Sequence, residues 1–108
     1  MNDTLLQLEQ TALERKAHPT EKSYTCYLFE QGIDKILKKC GEEAAEMIIA
    51  AKNSDNKELS LEISDLLYHI VILCAERGLP VADVFAELDR RSAKSGNLKD
   101  FKQTDKNT

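Results

Sequence analysis

Between Leu59 and Cys74 the chain carries apolar residues on most of the circumference of a helix. Leu59, Ile63, Leu66, Leu67, Ile70, Leu73 and Cys74 recur at intervals of mainly three and four and line one side, while Leu61, Tyr68, Val71 and Ile72 make another side apolar as well. A helix apolar on most of its surface has to be covered from several directions. The segment is therefore expected to be the centre of the fold, running from about Lys57 to Arg77 with Gly78 as its C-terminal cap. With 108 residues in all, the chain suits one small domain, and the second apolar side is expected to meet another subunit.

The other segments read as helices too. Strand signals are nearly absent, Gly and Pro are few, and the apolar positions follow a helical period. A first helix is expected from a cap at Asp3 or Thr4 to about Lys16, with Leu5, Leu8, Ala12 and Leu13 as its stripe. Ala17-His18-Pro19-Thr20 breaks it and places His18 in a solvent-exposed loop. Ser23 to Phe29 reads as a loop entering a short helical turn that ends at Gly32. A long helix then runs from Asp34 to about Asn53, with Ile33, Ile36, Leu37, Cys40, Ala44, Met47, Ile48 and Ala51 as its stripe. Asn53-Ser54-Asp55-Asn56 is a polar turn. Pro80 fits the first turn of a fifth helix, striped by Val81, Val84, Phe85 and Leu88 and ending near Ser92. Gly96 is expected to stop the helical domain, residues 1–96. The tail, 97–108, is polar, with Leu98 and Phe101 able to dock it. The expected fold is all-α, a bundle of four to five helices completed by homodimerisation.

Composition excludes some functions. The formal net charge of −4 argues against a nucleic-acid-binding module, which carries a basic face. The start lacks the basic and apolar parts of a signal peptide, and no window reaches transmembrane length. Cys26, Cys40 and Cys74 are odd in number and widely spaced, the pattern of small buried hydrophobes in a reducing compartment and not of a disulfide framework or a zinc site. A cytoplasmic protein is expected.

Two acidic motifs carry the chemistry. Glu42-Glu43-Ala44-Ala45-Glu46 lies on the third expected helix and Glu62-Ile63-Ser64-Asp65 on the fourth. Each offers carboxylates three residues apart, one turn apart on one helix face. Two such pairs on facing helices make a ring of hard oxygen ligands, the donor set of Mg²⁺, and Mg²⁺ commonly brings phosphates. Glu is also a good helix former, and Glu-rich faces usually just meet water. Against that reading, at about 100° per residue Glu43 falls on the border of the stripe of its helix, with Glu46 further round, and Glu62 and Asp65 stand in the same relation to theirs. Packing stripe to stripe would bring the flanks together. Burying Glu62 and Asp65 in so apolar a helix is also costly without a compensating cation.

Neighbouring residues leave alternatives open. Lys35 and Lys39 fall on the flank of Glu43 and Glu46, and Lys38 precedes the same motif. They either face a metal-bound polyphosphate or pair within the helix, Lys39 with Glu43 and Lys38 with Glu42. His69, two turns beyond Glu62 on the side of the acid pair, is either a hydrogen-bond partner of the carboxylates or a packed core histidine.

Taken together, these residues resemble a known family. E-E-x-x-E followed by E-x-x-D on the next helix is similar to the signature of the all-α nucleoside triphosphate pyrophosphatases. Within that superfamily Ser23-Tyr24-Thr25, Leu28-Phe29, Gly32, Lys35, Ile36, Lys39, Gly41-Glu42-Glu43, Glu46, Glu62 and Asp65-Leu66-Leu67-Tyr68-His69 resemble the phosphoribosyl-ATP pyrophosphatases of histidine biosynthesis. The resemblance covers roughly residues 20 to 92. It implies hydrolysis of phosphoribosyl-ATP between the α- and β-phosphates, Mg²⁺ dependence and a homodimer. It also implies the stand-alone form, without the cyclohydrolase that follows in the pathway.

The roles it implies are specific. Glu43, Glu46, Glu62 and Asp65 are the expected Mg²⁺ ligands, and Glu42 shares in metal binding or orients a ligand or the attacking water. Lys35, Lys38 and Lys39 are expected to hold phosphate oxygens. Ser23, Tyr24 and Thr25 are expected to contact substrate through hydroxyls to phosphate, while Tyr24 or Tyr27 alternatively stacks on the purine or packs in the core. Tyr27 is expected to pack. Arg90 and Arg91 either reach the ribosyl phosphate or serve as helix-end cations. Two rivals remain: a house-cleaning pyrophosphatase of the same superfamily acting on simple nucleotides, and a non-catalytic helical dimerisation module whose acidic flank is solvated.

Overall fold

The structure is a computed structural model that describes residues 3–93. These form five helices, α1 (Thr4–Ala17), α2 (Tyr24–Gln31), α3 (Ile33–Lys52), α4 (Asn56–Arg77) and α5 (Val81–Ser92), with no strand among the described residues. The expected stop at Gly96 and the tail with Leu98 and Phe101 lie outside the described residues. None of the helices is long and apolar enough to cross a membrane.

Local chemistry sets the boundaries. Asp3 precedes α1 but its side chain makes no capping bond, contrary to expectation. Asp55 does cap α4, its carboxylate accepting the N–H groups of Lys57 and Glu58 at 3.0 and 3.2 Å. Gly78 ends α4 in the left-handed region, at φ 70°, where a Cβ would be penalised. Pro80 has no capping side chain, and the first N–H of α5 is met instead from α1: Glu9 Oε2 accepts from Val81 N at 2.7 Å. Lys16 ties the end of α1 to the end of α4. Its ammonium donates to the Ala75 carbonyl at 3.3 Å, pairs with Glu76 at 3.4 Å and lies over the Phe29 ring.

Residues 23–31 depart from the expected loop and short turn. Tyr24–Gln31 form an eight-residue helix. Ser23 is its cap, its hydroxyl oxygen accepting from Cys26 N at 3.1 Å, and Gly32, at φ 92°, makes the sharp corner into α3. The helix is held because Leu28 is completely buried in the main core, with Ala12, Ile36, Ile72 and Ala75. A second cluster, of Val71, Cys74 and Val81 with Leu5, Leu8 and Phe85, seats α5 and α1 on the other side of α4.

Helix α4 is central, as its all-round apolar character requires, but its buried residues come from both expected sides. Val71 and Ile72 of the expected second side and Cys74 of the expected first are in the cores, whereas Ile63, Leu67 and Ile70 of the first side and Leu61 of the second are exposed. On α3 the buried line is Ile36, a member of the expected stripe, with Glu43 and Ala50, seven residues apart, while Leu37 and Ile48 of that stripe are exposed. The helices α3 and α4, the most extensive pair, therefore meet along the flanks of their stripes, and much of the stripes faces outward.

Candidate metal and substrate site

The packing of α3 on α4 puts the acidic motifs against each other. Glu43 is only 7% exposed and lies in the middle of the buried line of α3, not on its border. One oxygen each from Glu43, Glu62 and Asp65 fall within 4.8 Å of one another, the one such group among the described residues. Helical spacing places Glu62 and Asp65 one turn apart, and the packing of α4 on α3 brings Glu43 to them.

The electrostatics are those of an incomplete site. Glu43 Oε2 and Glu62 Oε1 are buried without any hydrogen-bond partner. Burial pushes the Glu43 carboxyl above its usual range; Glu46, by its charge and a side-chain hydrogen bond, and the Asp65 charge push the same way against the pull of Lys39. Glu62 is raised by the same causes, desolvation first, then Glu46, Asp65 and Glu43. Buried anions without partners are costly unless a cation joins them. Three converging carboxylates with two orphaned oxygens fit a hard divalent ion of the Mg²⁺ type, whose ligands are oxygens.

The remaining expected site residues divide. Glu46 is exposed beside the trio and acts on it by charge. Glu42 is exposed and pairs with Lys39 at 3.3 Å, so the pairing within the helix is i,i+3 and not the anticipated Lys39–Glu43 and Lys38–Glu42. Burial alone would lower the Lys39 ammonium, but its bond to Glu42 and the proximity of Tyr24 and Glu43 raise it overall, so it is a firmly charged lysine at the edge of the carboxylates. Lys35 lies over the Tyr27 ring at 5.8 Å. Lys38 is exposed, about 60° further round α3 from Lys35. Arg90 and Arg91 both bond Glu87 on their own helix, at 2.5 and 2.8 Å.

Helix α2 is docked at the same level by its first residues. The Thr25 hydroxyl bonds the Tyr68 hydroxyl. Tyr24 Oη lies 2.9 Å from His69 Nε2, and His69 Nδ1 lies 2.7 Å from the backbone carbonyl of Asp65. A carbonyl only accepts, so Nδ1 carries a proton, Nε2 of the neutral ring is the acceptor, and the Tyr24 hydroxyl donates. Burial holds that hydroxyl above the ordinary phenol range, with Lys39 opposing. His69 is thus both buried, at 5% exposure, and hydrogen-bonded beside the carboxylates. The oxygens of Ser23, Tyr24 and Thr25 all have partners inside the chain. Tyr27, expected to pack, is 43% exposed. Sequence reasoning passed over Tyr68 as a partner of Thr25, because the two are 43 residues apart and no local pattern joins them.

Fold and cluster together define a class, all-helical proteins that present converging carboxylates between two packed helices. Comparison with known proteins narrows it. A family model described as phosphoribosyl-ATP pyrophosphohydrolase matches residues 5–92. The chain is 53% identical over 89 residues to the phosphoribosyl-ATP pyrophosphatase of Listeria monocytogenes, covering 82% of this chain and 85% of that protein. It is 46% identical over 105 residues to the phosphoribosyl-ATP pyrophosphatase of Bacillus cereus, covering 97% and 98%. A match of 50% over 100 residues to the histidine biosynthesis bifunctional protein HisIE of Lactococcus lactis covers 93% of this chain and 47% of that protein, so the chain spans about half the length of this bifunctional relative. The chain belongs to the phosphoribosyl-ATP pyrophosphohydrolase family.

Proposed function

We propose that this chain hydrolyses phosphoribosyl-ATP to phosphoribosyl-AMP and pyrophosphate, the second step of histidine biosynthesis, in the cytoplasm and with Mg²⁺. The family match supports the reaction. The observation that carries the metal is the pair of buried, partnerless oxygens on Glu43 and Glu62.

Glu43, Glu62 and Asp65 would hold the ion, with Glu46 joining from the exposed edge. Bound there, Mg²⁺ supplies charge neutralisation for the triphosphate and Lewis acidity at its phosphorus oxygens. The chain's own residues do the rest. Lys39, charged and adjacent to Glu42, Glu43 and Tyr24, offers N–H donors to phosphate oxygens, which favours a transition state with more negative charge on the departing pyrophosphate. Lys35 and Lys38 add positive charge along the same helix. Glu42 restrains Lys39 and is positioned to orient a metal ligand or the attacking water. Tyr24 and Thr25, bonded to His69 and Tyr68 beside the Asp65 turn, would contact the substrate, with Ser23 holding the turn that carries them.

A homodimer completes the reading. Leu37 and Ile48 of α3 and Ile63, Leu67 and Ile70 of α4 are all more than a third exposed. They present apolar surface from the two helices that carry the carboxylates, the kind of face that marks an interaction site.

Two measurements test the proposal. Asp65→Ala or Glu46→Ala is expected to abolish Mg²⁺-dependent pyrophosphate release from phosphoribosyl-ATP, and near wild-type turnover in a folded variant would overturn the assignment. Leu67→Lys is expected to convert the dimer to monomer in sedimentation, and an unchanged sedimentation coefficient would remove this face as the interface.

A further inference from the structure

A chain of polar atoms runs from the backbone of one cluster residue to a lysine on the facing helix. It begins at the Asp65 carbonyl on α4, 2.7 Å from His69 Nδ1, and continues from His69 Nε2 over 2.9 Å to Tyr24 Oη on α2. The His69 ring is held in place. The residue is 5% exposed, and its ring meets those of Tyr24 and Tyr68 edge-on at 5.7 and 5.0 Å. The Asp65 carbonyl only accepts, so the order of protons is set from that end, with one on Nδ1, a lone pair on Nε2 and the Tyr24 proton given to it. The Tyr24 oxygen then has only acceptor capacity left. The group placed to use it is Lys39, whose ammonium is all donor. That ammonium pairs with Glu42 Oε1 at 3.3 Å on a side chain 27% exposed, and it and the Tyr24 oxygen act on each other in the attractive sense. The opposite tautomer of His69 would release the Tyr24 proton and let it face the ammonium, donor against donor.

We infer that His69 is a positioning residue for Lys39: by taking the Tyr24 proton it turns the lone pairs of the phenol oxygen to the ammonium, which Tyr24 and Glu42 then hold between them beside the carboxylates, aimed at a phosphate oxygen. The inference rests on the nucleotide-hydrolase reading above and adds to it a residue that acts through another. It links the Asp65 turn of α4 to the phosphate donor of α3 by way of α2, so the docking of α2 orders the site. It also gives the two ring nitrogens of His69 separate tasks, Nδ1 at the Asp65 turn and Nε2 at Tyr24 and, through it, Lys39.

Two replacements of similar shape separate those tasks. In His69→Asn the amide keeps a donor near the place of Nδ1 and leaves nothing at Nε2, whereas in His69→Gln the amide oxygen reaches the place of Nε2 and accepts from Tyr24. Binding of inorganic tripolyphosphate with Mg²⁺ is followed by calorimetry, and kcat/KM for phosphoribosyl-ATP is measured beside it. The proteins are wild type, His69→Asn, His69→Gln, Tyr24→Phe, Lys39→Ala and the double variant of His69→Asn with Lys39→Ala. His69→Asn and Tyr24→Phe are each expected to weaken tripolyphosphate binding and lower kcat/KM about tenfold, and His69→Gln to stay close to wild type. In the Lys39→Ala background His69→Asn is expected to cost nothing further, because the effect of His69 passes through Lys39. Losses that multiply in the double variant, or a His69→Gln protein no better than His69→Asn, overturn the inference. Tyr24 is 45% exposed, so Tyr24→Phe probes the same link without disturbing the core, and wild-type binding by that variant overturns the link to Lys39. A wild type that shows the expected binding pattern but leaves phosphoribosyl-ATP intact sinks only the reaction. Turnover with multiplying losses sinks only the positioning role, and a wild type that binds no tripolyphosphate removes Lys39 as its holder and the inference with it.

Discussion

The glutamates of this chain are treated in two opposite ways. Glu87 on α5 has both oxygens bonded by the guanidinium groups of Arg90 and Arg91, which hold its carboxyl down to about 2. Glu43 and Glu62, between α3 and α4, have buried oxygens with no partner and carboxyls raised by burial and by one another. The first arrangement is complete within its own helix and asks nothing of a ligand. In the second, Glu43 stands where the fold alone would have put an aliphatic residue, between Ile36 and Ala50, and two oxygens are left without a partner. The difference separates charge compensated within the fold from charge the fold leaves uncompensated.

The largest expected effect that would break this contrast is on turnover. Glu43→Gln keeps shape but removes the anion, and should lower kcat for pyrophosphate release about a hundredfold or more, whereas Glu87→Gln should leave kcat where it is. Equal losses in the two variants would erase the distinction. Next comes stability without metal. Glu43→Met fills the same site without an unsatisfied oxygen and should stabilise the metal-free protein by about 1–3 kcal/mol in urea denaturation while abolishing activity. A destabilised variant would mean that the carboxylate has an unrecognised partner in the fold.

The effect of pH sharpens the contrast further. Folded-state values above the unfolded ones for Glu43 and Glu62 mean that they favour folding below the ordinary carboxylate range and oppose it as pH rises through their raised values. The metal-free protein should therefore melt higher as pH falls from 7 toward that range, and saturating Mg²⁺ should reverse the trend by favouring the ionised forms. Glu87 works the other way. Its contribution is present above the ordinary carboxylate range and is lost only as pH falls through about 2. Melting curves with EDTA or Mg²⁺ across this range check both signs. The smallest effect is that of Glu87→Ala on the melting temperature at pH 7, expected to be hardly separable from wild type, because exposed ion pairs contribute little.

The helices were readable from periodicity and punctuation. The starts and ends of α1, α3, α4 and α5 fall within about a residue of the expected ones, since Asp55, Gly78 and Pro80 act locally. Ser23 to Phe29 reads as a loop entering only a short helical turn because it mixes polar and aromatic residues without a stripe; the full length of α2 comes from Leu28 meeting residues far along the chain. Which apolar side of α4 faces its own chain was not legible either. Ile63 and Ile72 are equally hydrophobic, and hydropathy does not say whether the cover is α1 and α2 or a second copy. The carboxylate pairs were legible because each lies within one turn of one helix. Their meeting, and the bonds from Tyr24 and Thr25 to His69 and Tyr68, depend on tertiary packing across 43 to 45 residues.

The line Ile36, Glu43, Ala50 has a consequence for motion. Helices ordinarily fray from their ends inward. Here the seam between α3 and α4 is firm at Ile36, where it joins the main core, and weakest at its midpoint, where like charges face each other. Without a cation, transient opening would start in the middle, and the amides around Glu43 and Glu62 would exchange with solvent faster than those a turn or two away. The acidic seam is then also the place where the molecule breathes, and a cation bound there would quiet the whole helix pair.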